Sequence, residues 1–220
     1  MKTKTTLATL ITMLIVTALT FQSCKKDPNS PNVTFTDSRD GQTYNTVVIG
    51  DQTWMAENLN FDLPGQSYTY DDTSATSDIY GRLYDHSAAV YACPSGWHLP
   101  SDDEWKTLEM ALGMSQSDAD RIAYRGTDEG GKMKEMGTST WAAPNTGATN
   151  SSGFNALPAG VRYANTYMGL GKHTTWWLST DADYYIENYY YSRHLSYDKA
   201  QIYRHYANGS DGYSVRCIKD

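Results

Sequence analysis

Cys93-Pro94-Ser95-Gly96-Trp97-His98-Leu99-Pro100-Ser101-Asp102-Asp103-Glu104-Trp105, running on to Leu112-Gly113, is the stretch whose grammar decides the fold. Pro100 disfavours helix at Leu99, so the chain before it is extended. Ser101 is a good N-cap, and Glu104 three residues later completes a capping box. Asp102, Asp103 and Glu104 fill the first turn, where the helix dipole favours negative charge. Trp105, Leu108, Ala111 and Leu112 fall at helical spacing and predict one apolar face. Gly113 is a natural stop. A short amphipathic helix is expected, entered from a tight turn at Pro94-Ser95-Gly96, with Trp97 and Trp105 both in the core. The stretch reads as a corner of a scaffold rather than a site.

The chain around it has 220 residues, with 18 basic and 25 acidic side chains. That length suffices for one domain with a real core. Removing residues 1–23 would take away Lys2 and Lys4 and no acid, shifting the formal charge from −7 to −9. An acidic chain with scattered lysines argues against nucleic acid and against electrostatic docking on anionic membrane. Aromatics are biased in kind, with 18 Tyr and 6 Trp against 4 Phe. Tyr and Trp combine an apolar body with a polar tip, so they suit half-buried strands or a wet surface that stacks on flat ligands.

Met1–Thr6 carries Lys2 and Lys4, and Leu7–Phe21 is mostly apolar. About 15 residues is short for a membrane span, which needs ~20, but fits a secretory leader. Ser23-Cys24 follows where a signal peptidase would cut, and a small residue before Cys resembles a bacterial lipobox. Residues 1–23 are therefore expected to be a lipoprotein signal peptide. Cys24 is the expected lipidation site, and the polar, Pro-rich segment 24–34 a flexible tether. Cys93 and Cys217 then remain as an even pair in an oxidising compartment. They are either bridged, which would stabilise by ~4–5 kcal/mol on the chain-entropy model, or two buried thiols.

From Phe35 to Leu59 the pattern is a β-meander, with turns at Asp40-Gly41 and Gly50-Asp51. Residues 60–77 read as a loop. Asp71, Asp72, Asp78 and Asp85 cluster in and after it, a weak calcium pattern without the spaced array of a calcium loop. Asp85–Tyr91 reads as a helix, and Ser115–Tyr124 as a second short one capped by Ser117 or Asp118. Lys132–Met136 reads as one helical turn. From Gly153 the pattern turns to strands: Phe154–Tyr163, Thr174–Thr180, Tyr184–Arg193, Ser196–Tyr206 and Tyr213–Ile218, the last after the turn Asn208-Gly209-Ser210-Asp211-Gly212. Strands at both ends and helices in the middle give an α+β class, short helices on mainly antiparallel sheet with long loops.

Seven ordered segments resemble one family: Asp40–Tyr44, Gln52-Thr53-Trp54-Met55-Ala56-Glu57-Asn58-Leu59, Tyr80–Tyr84, Cys93–Ser101, Gly153–Gly160, Trp177–Thr180 and Gly212-Tyr213-Ser214-Val215-Arg216-Cys217. Their order and spacing resemble the Fibrobacter succinogenes major paralogous domain, over residues 35–220 as a single domain. That resemblance implies a secreted protein or lipoprotein of Bacteroidota-like bacteria, of largely unassigned activity. Leu178 departs from the usual Ser of the Trp177 segment, and the loop before Asp78 lacks the Cys of some relatives. The Gly96-Trp97-His98-Leu99-Pro100-Ser101…Glu104-Trp105 run is also similar to formylglycine-generating enzymes and so to the C-type-lectin-like fold. That likeness implies terminal strands that pair and a Cys93–Cys217 bridge.

Chemistry is sparse. Formylglycine-generating enzymes use cysteines in the C-terminal part with copper, and here Cys217 stands there alone. The lectin calcium motifs are absent, and His86, His98, His173, His194 and His205 show no zinc spacing. There is no nucleophile elbow and no phosphate loop. No catalytic residue and no cofactor are expected. The reading is a lipid-anchored envelope protein, at the outer membrane or cell surface, carrying a non-catalytic binding or adhesion module. Its partners would be polysaccharide or another envelope protein, with no nucleic acid. An enzyme of the formylglycine-generating type and a structural envelope component are the alternatives. The candidate surface is Tyr163, Tyr167, His173, Trp176, Tyr184, Tyr185, Tyr189, Tyr190 and Tyr191. Trp176 and Trp177 are neighbours in a strand and point to opposite faces; Trp177 is expected in the core and Trp176 on the outside. Labelling cells with an alkynyl fatty acid should mark the wild-type protein and not Cys24→Ser; equal labelling of the two would remove the lipoprotein reading.

Overall fold

Strand grammar at both ends and helix grammar in the middle are both present in the computed structural model, which describes residues 33–182 and 187–220. The expected leader, Cys24 and residues 24–32 of the tether lie outside the described residues. β1 (Thr34–Thr36), β2 (Thr43–Ile49) and β3 (Gln52–Met55) form the meander. Next come β4 (Ser67–Tyr68), a 3-10 turn (Tyr70–Asp72), α1 (Ser74–Tyr80) and β5 (Leu83–Tyr84). The middle holds α2 (His86–Ala92), β6 (Trp97–His98), α3 (Asp102–Ala111), α4 (Gln116–Ala119), β7 (Ala123–Arg125) and α5 (Glu129–Met133). The C-terminal part is β8 (Ala159–Tyr163), β9 (Thr166–Leu170), β10 (His173–Asp181), β11 (Tyr189–Ser196), β12 (Ile202–Asn208), β13 (Tyr213–Ser214) and β14 (Ile218–Lys219).

The first sheet runs β1-β2-β3-β14-β6 and is antiparallel throughout, so the last strand closes on the opening meander. The second runs β4-β5-β13-β10-β11-β12-β7, with the β8–β9 hairpin attached through β8 to β10. Its pairings are antiparallel except β10 with β13 and with β8. The class is α+β, with short helices on mainly antiparallel sheet. Cys93 and Cys217 are joined in a disulfide that ties the end of α2 to the last strands.

The corner at Trp97–Gly113 folds as its residues dictate. Ser101 Oγ accepts the Glu104 amide at 3.3 Å, and Glu104 Oε2 accepts the Ser101 amide at 2.7 Å, a closed capping box. Trp97 and Trp105 are both buried. The buried stripe differs from the expected one: Ala111 is exposed, while Asp102 and Glu109 are buried beside Trp105 and Leu108. Arginines from the sheet make this possible. Asp102 accepts Arg204 at 2.9 and 2.7 Å and pairs with Arg193 at 2.9 Å. Glu109 accepts Arg125 at 2.6 Å and Arg193 at 2.8 Å.

Two other expectations are corrected. Residues 60–77 are not all loop; β4, the 3-10 turn and the start of α1 lie there. α1 has poor helix formers and no side-chain cap, so tertiary contacts rather than propensity hold it. It stops at Gly81, whose φ is +75°, and a Cβ there would stand 2.7 Å from Asn58 Cβ. α4 is capped by Ser115 rather than by Ser117 or Asp118, because the Ser115 hydroxyl accepts the Asp118 amide.

Trp176 is not on the outside. It and Trp177 do point to opposite faces of β10, but both are fully buried. The Trp177 face meets α2: its ring lies 5.2 Å from His86 and 4.4 Å from Tyr213, and its Nε1 donates to Tyr84 O. The Trp176 face meets α3, with ring contacts to Trp105 and Phe154 and a 2.8 Å bond from Nε1 to Asn58 Oδ1. At Trp176 and Trp177 the strand has a helix on each side, so neither ring faces outward. Trp176→Ala and Trp177→Ala should therefore each cost ~3–5 kcal/mol in denaturant unfolding. A variant of either that unfolds like wild type would show its ring to be outside the core.

Candidate functional site

The face of β10 that carries Trp177 is covered by α2 only at one end. Toward His173 the strand register lays a continuous surface across four strands. Thr175 of β10 is opposite His194 of β11, His194 is opposite Tyr203 of β12, and Tyr203 is opposite Tyr124 of β7. His173 and His205 are two positions away on their strands, so the strand period places them on the same face. The rings touch in sequence: Tyr124–Tyr203 at 4.7 Å, Tyr203–His205 at 5.1 Å, Tyr203–His194 at 6.1 Å and His194–His173 at 5.1 Å between centroids. All five rings are half-buried. Gly169 permits the packing at one edge, since its φ is +79° and a Cβ there would overlap His173 Nε2.

The imidazoles are held neutral. Burial, and then the neighbouring His173 and His205, pull His194 down to about 3. Burial pulls His205 down to about 4, and it also lowers His173. Thr175 Oγ1 lies 3.1 Å from His194 Nδ1, a hydroxyl–imidazole pair. With so little basicity at His194 the pair is ill-suited to general-base chemistry, which needs a pKa near the working pH. The surface is polar, uncharged and ring-rich. Nδ1 of His173 is buried without a hydrogen-bond partner among the described residues.

Beyond His205 the surface continues into a cavity of about 410 Å³, lined by Tyr163, Tyr189, His205, Tyr206, Asp211 and Tyr213 among others. Tyr163 is 55 % exposed. Asp211 is buried and accepts the Tyr213 hydroxyl at 3.3 Å. Tyr213 is stacked on Trp177, so the cavity wall rests on the core.

Of the residues expected at a surface, His173 belongs to this face, Tyr163 and Tyr189 line the cavity, and Tyr189 reaches it from the side of β11 that carries Tyr191. Tyr190 instead stacks on His86 at 3.3 Å and seals the α2 side of the core. Tyr191 lies on the other face of β11, with the Arg204 guanidinium 4.3 Å from its ring. Tyr167 is on the β9 hairpin, donating to Asp72 at 2.7 Å; burial and that carboxylate push its hydroxyl up to about 12. Trp176 is buried, and Tyr184 and Tyr185 lie outside the described residues. The calcium pattern disperses: Asp85 caps α2 through the Ala88 amide, Asp72 takes Tyr167, and Asp71 and Asp78 are exposed. Among the described residues no three His, Cys, Asp or Glu side chains gather as a metal site. Tyr124, His194, Tyr203, His205, Asp211 and Tyr213 were not expected at the site; alternation could have paired His194 with Tyr203 only once the β11–β12 register was known.

Residues 47–219 match the model of the Fibrobacter succinogenes major domain. The chain belongs to that family. No curated protein and no solved structure matches it. The match takes in six of the seven quoted segments and leaves out Asp40–Tyr44. Within this Fibrobacter succinogenes major domain, the ring-lined face and the cavity both fall inside the matched span.

Buried neutral histidines link the site to pH. His194 titrates near 3 in the folded chain and near 6.5 in the unfolded one. Between those values the unfolded state holds the extra proton, so stability falls as pH drops below about 6.5. His194→Gln should flatten that fall by up to about 1.4 kcal/mol per pH unit, read by urea unfolding across the window. An unchanged slope would mean that His194 is not held neutral.

Proposed function

We propose that the domain is a non-catalytic binding module displayed from the cell envelope, and that it binds carbohydrate on the tyrosine–imidazole face and in the adjoining cavity. The observation that carries this reading is a rigid, uncharged, half-buried array of five rings that runs into a concave, tyrosine-walled pocket. Ring faces suit the apolar faces of sugars, while hydroxyls and imidazole nitrogens can exchange hydrogen bonds with sugar hydroxyls. The low basicity of His194 and His205 favours binding over acid–base catalysis.

The finer fold reading is C-type-lectin-like. It is supported by the pairing of β14 with β3, by the helix that enters after Gly96-Trp97-His98-Leu99-Pro100-Ser101, and by the bridge between Cys93 and Cys217. The envelope reading rests on the Lys-flanked apolar leader, Ser23-Cys24 and the polar tether, which together would hold the module off a membrane by a lipid at Cys24. A glycan array and polysaccharide pull-down with the wild-type domain test the proposal. Tyr163→Ala and Tyr203→Ala should each weaken the bound glycan by about tenfold, equal to ~1.4 kcal/mol, with thermal unfolding little changed. Absence of any glycan binding by the wild type, or full binding by both variants, would overturn it.

A further inference from the structure

The cavity holds a charge that no cation among the described residues answers. Asp211 is 6 % exposed, and its side chain has one hydrogen-bond partner among the described residues, the Tyr213 hydroxyl at 3.3 Å. A buried carboxylate is costly unless a cation or several donors meet it. Arg162 comes close through its backbone, which exchanges hydrogen bonds with Gly212. Its guanidinium is turned elsewhere, 3.8 Å from the Tyr68 ring and bonded to Asn165 Oδ1 at 2.5 Å. His205, the basic side chain in the wall, is held neutral by burial. Burial likewise pushes the Asp211 carboxyl up, with the Tyr213 hydroxyl opposing. Among the described residues Asp211 is thus the one acid in a wall of otherwise neutral groups, four of them tyrosines.

We propose that this cavity binds the protonated amine of an amino sugar, with Asp211 as its counter-ion and the tyrosine rings around it. The proposal rests on the reading of the face as a carbohydrate surface and adds the charge of the ligand. An ammonium group restores the charge partner that Asp211 lacks, and tyrosine faces attract a cation through their quadrupoles. The chain's net charge of −7 draws cations toward it. An N-acetylated sugar has the same ring but no charge. It would bury Asp211 further without pairing it, which selects against it.

The probes are a glucosamine tetrasaccharide and its fully N-acetylated counterpart, titrated calorimetrically into the wild-type domain at about pH 6. The free-amine form should bind at least about tenfold tighter, equal to ~1.4 kcal/mol. Asp211→Asn keeps an acceptor for the Tyr213 hydroxyl and should abolish the preference. Ser210→Lys, at an exposed position lining the same cavity, should abolish it too by supplying an internal ammonium group, and it serves if Asp211→Asn does not fold. Equal binding of the two sugars would overturn the cation assignment and leave the carbohydrate surface standing. Failure of both sugars to bind would overturn it as well, and the glycan array then decides whether the surface itself survives. A preference that persists in both variants would exclude Asp211 as the counter-ion.

Discussion

A guanidinium without a carboxylate sits at the junction of the two sheets. Arg216 is fully buried and has no ion-pair partner among the described residues. It is satisfied by hydrogen bonds alone: Asn58 Oδ1 at 3.1 and 2.8 Å, Met55 O at 3.2 Å and Phe154 O at 2.6 Å. Its plane lies 4.3 Å from the Phe154 ring, and burial draws its pKa down to about 9. A buried cation of this kind is tolerated only if every donor finds an acceptor. The acceptors come from segments remote in sequence, so the arginine forces them together. Asn58 extends the constraint, since its Oδ1 also takes the Trp176 indole and its Nδ2 donates to Tyr80 O. The Asn58, Tyr80-Gly81 and Arg216-Cys217 segments are thereby parts of one polar knot. Gly81 is small because Asn58 lies against it.

The second constraint is the ionic layer between α3 and the sheet. Three arginines from β7, β11 and β12 converge on two carboxylates two helical turns apart. Burial works to raise the Asp102 carboxyl, and the Arg204 and Arg193 guanidiniums overcome it and hold it far below the usual range. Such a cluster contributes little over an apolar contact of equal size, but it is intolerant of losing one member. It fixes α3 in one register on one face of the sheet. The opposite face is covered by α2 at the Trp177 end and left open at the His173 end.

The proposed function rests on that uneven cover. The rings of the candidate surface stand on strands whose reverse side is locked by the ion layer, and the cavity wall at Tyr213 is stacked on a core tryptophan. A site built on strands is more rigid than one built on loops, so less order is lost on binding. On the proposed reading, burial that is strong enough to hold the histidines neutral while leaving the rings half-exposed suits a surface that reads shape and hydroxyl pattern. Asp211 is the exception, and it confines a charge to one end.

What the sequence determined by itself is local. Ser101 and Glu104 three residues apart, Pro100 before them and Gly113 after them specify α3 without outside help, because caps and stops act within one turn. Alternation in Thr174–Thr180 sends Trp176 and Trp177 to opposite sides for the same reason. The order of the seven segments was enough to place the chain in its family. What only the tertiary structure decided is which sides are covered and which residues meet across strands. Trp176 is buried because α3 lies over it, a fact held in the Arg–carboxylate contacts and not in β10. Asp102 reads as a first-turn acid and Glu109 lies outside the expected apolar face, and both are buried because Arg125, Arg193 and Arg204 arrive from strands farther along the chain. His194, Tyr203 and Tyr124 form one row because of register, and register depends on pairings between segments that no local spacing encodes.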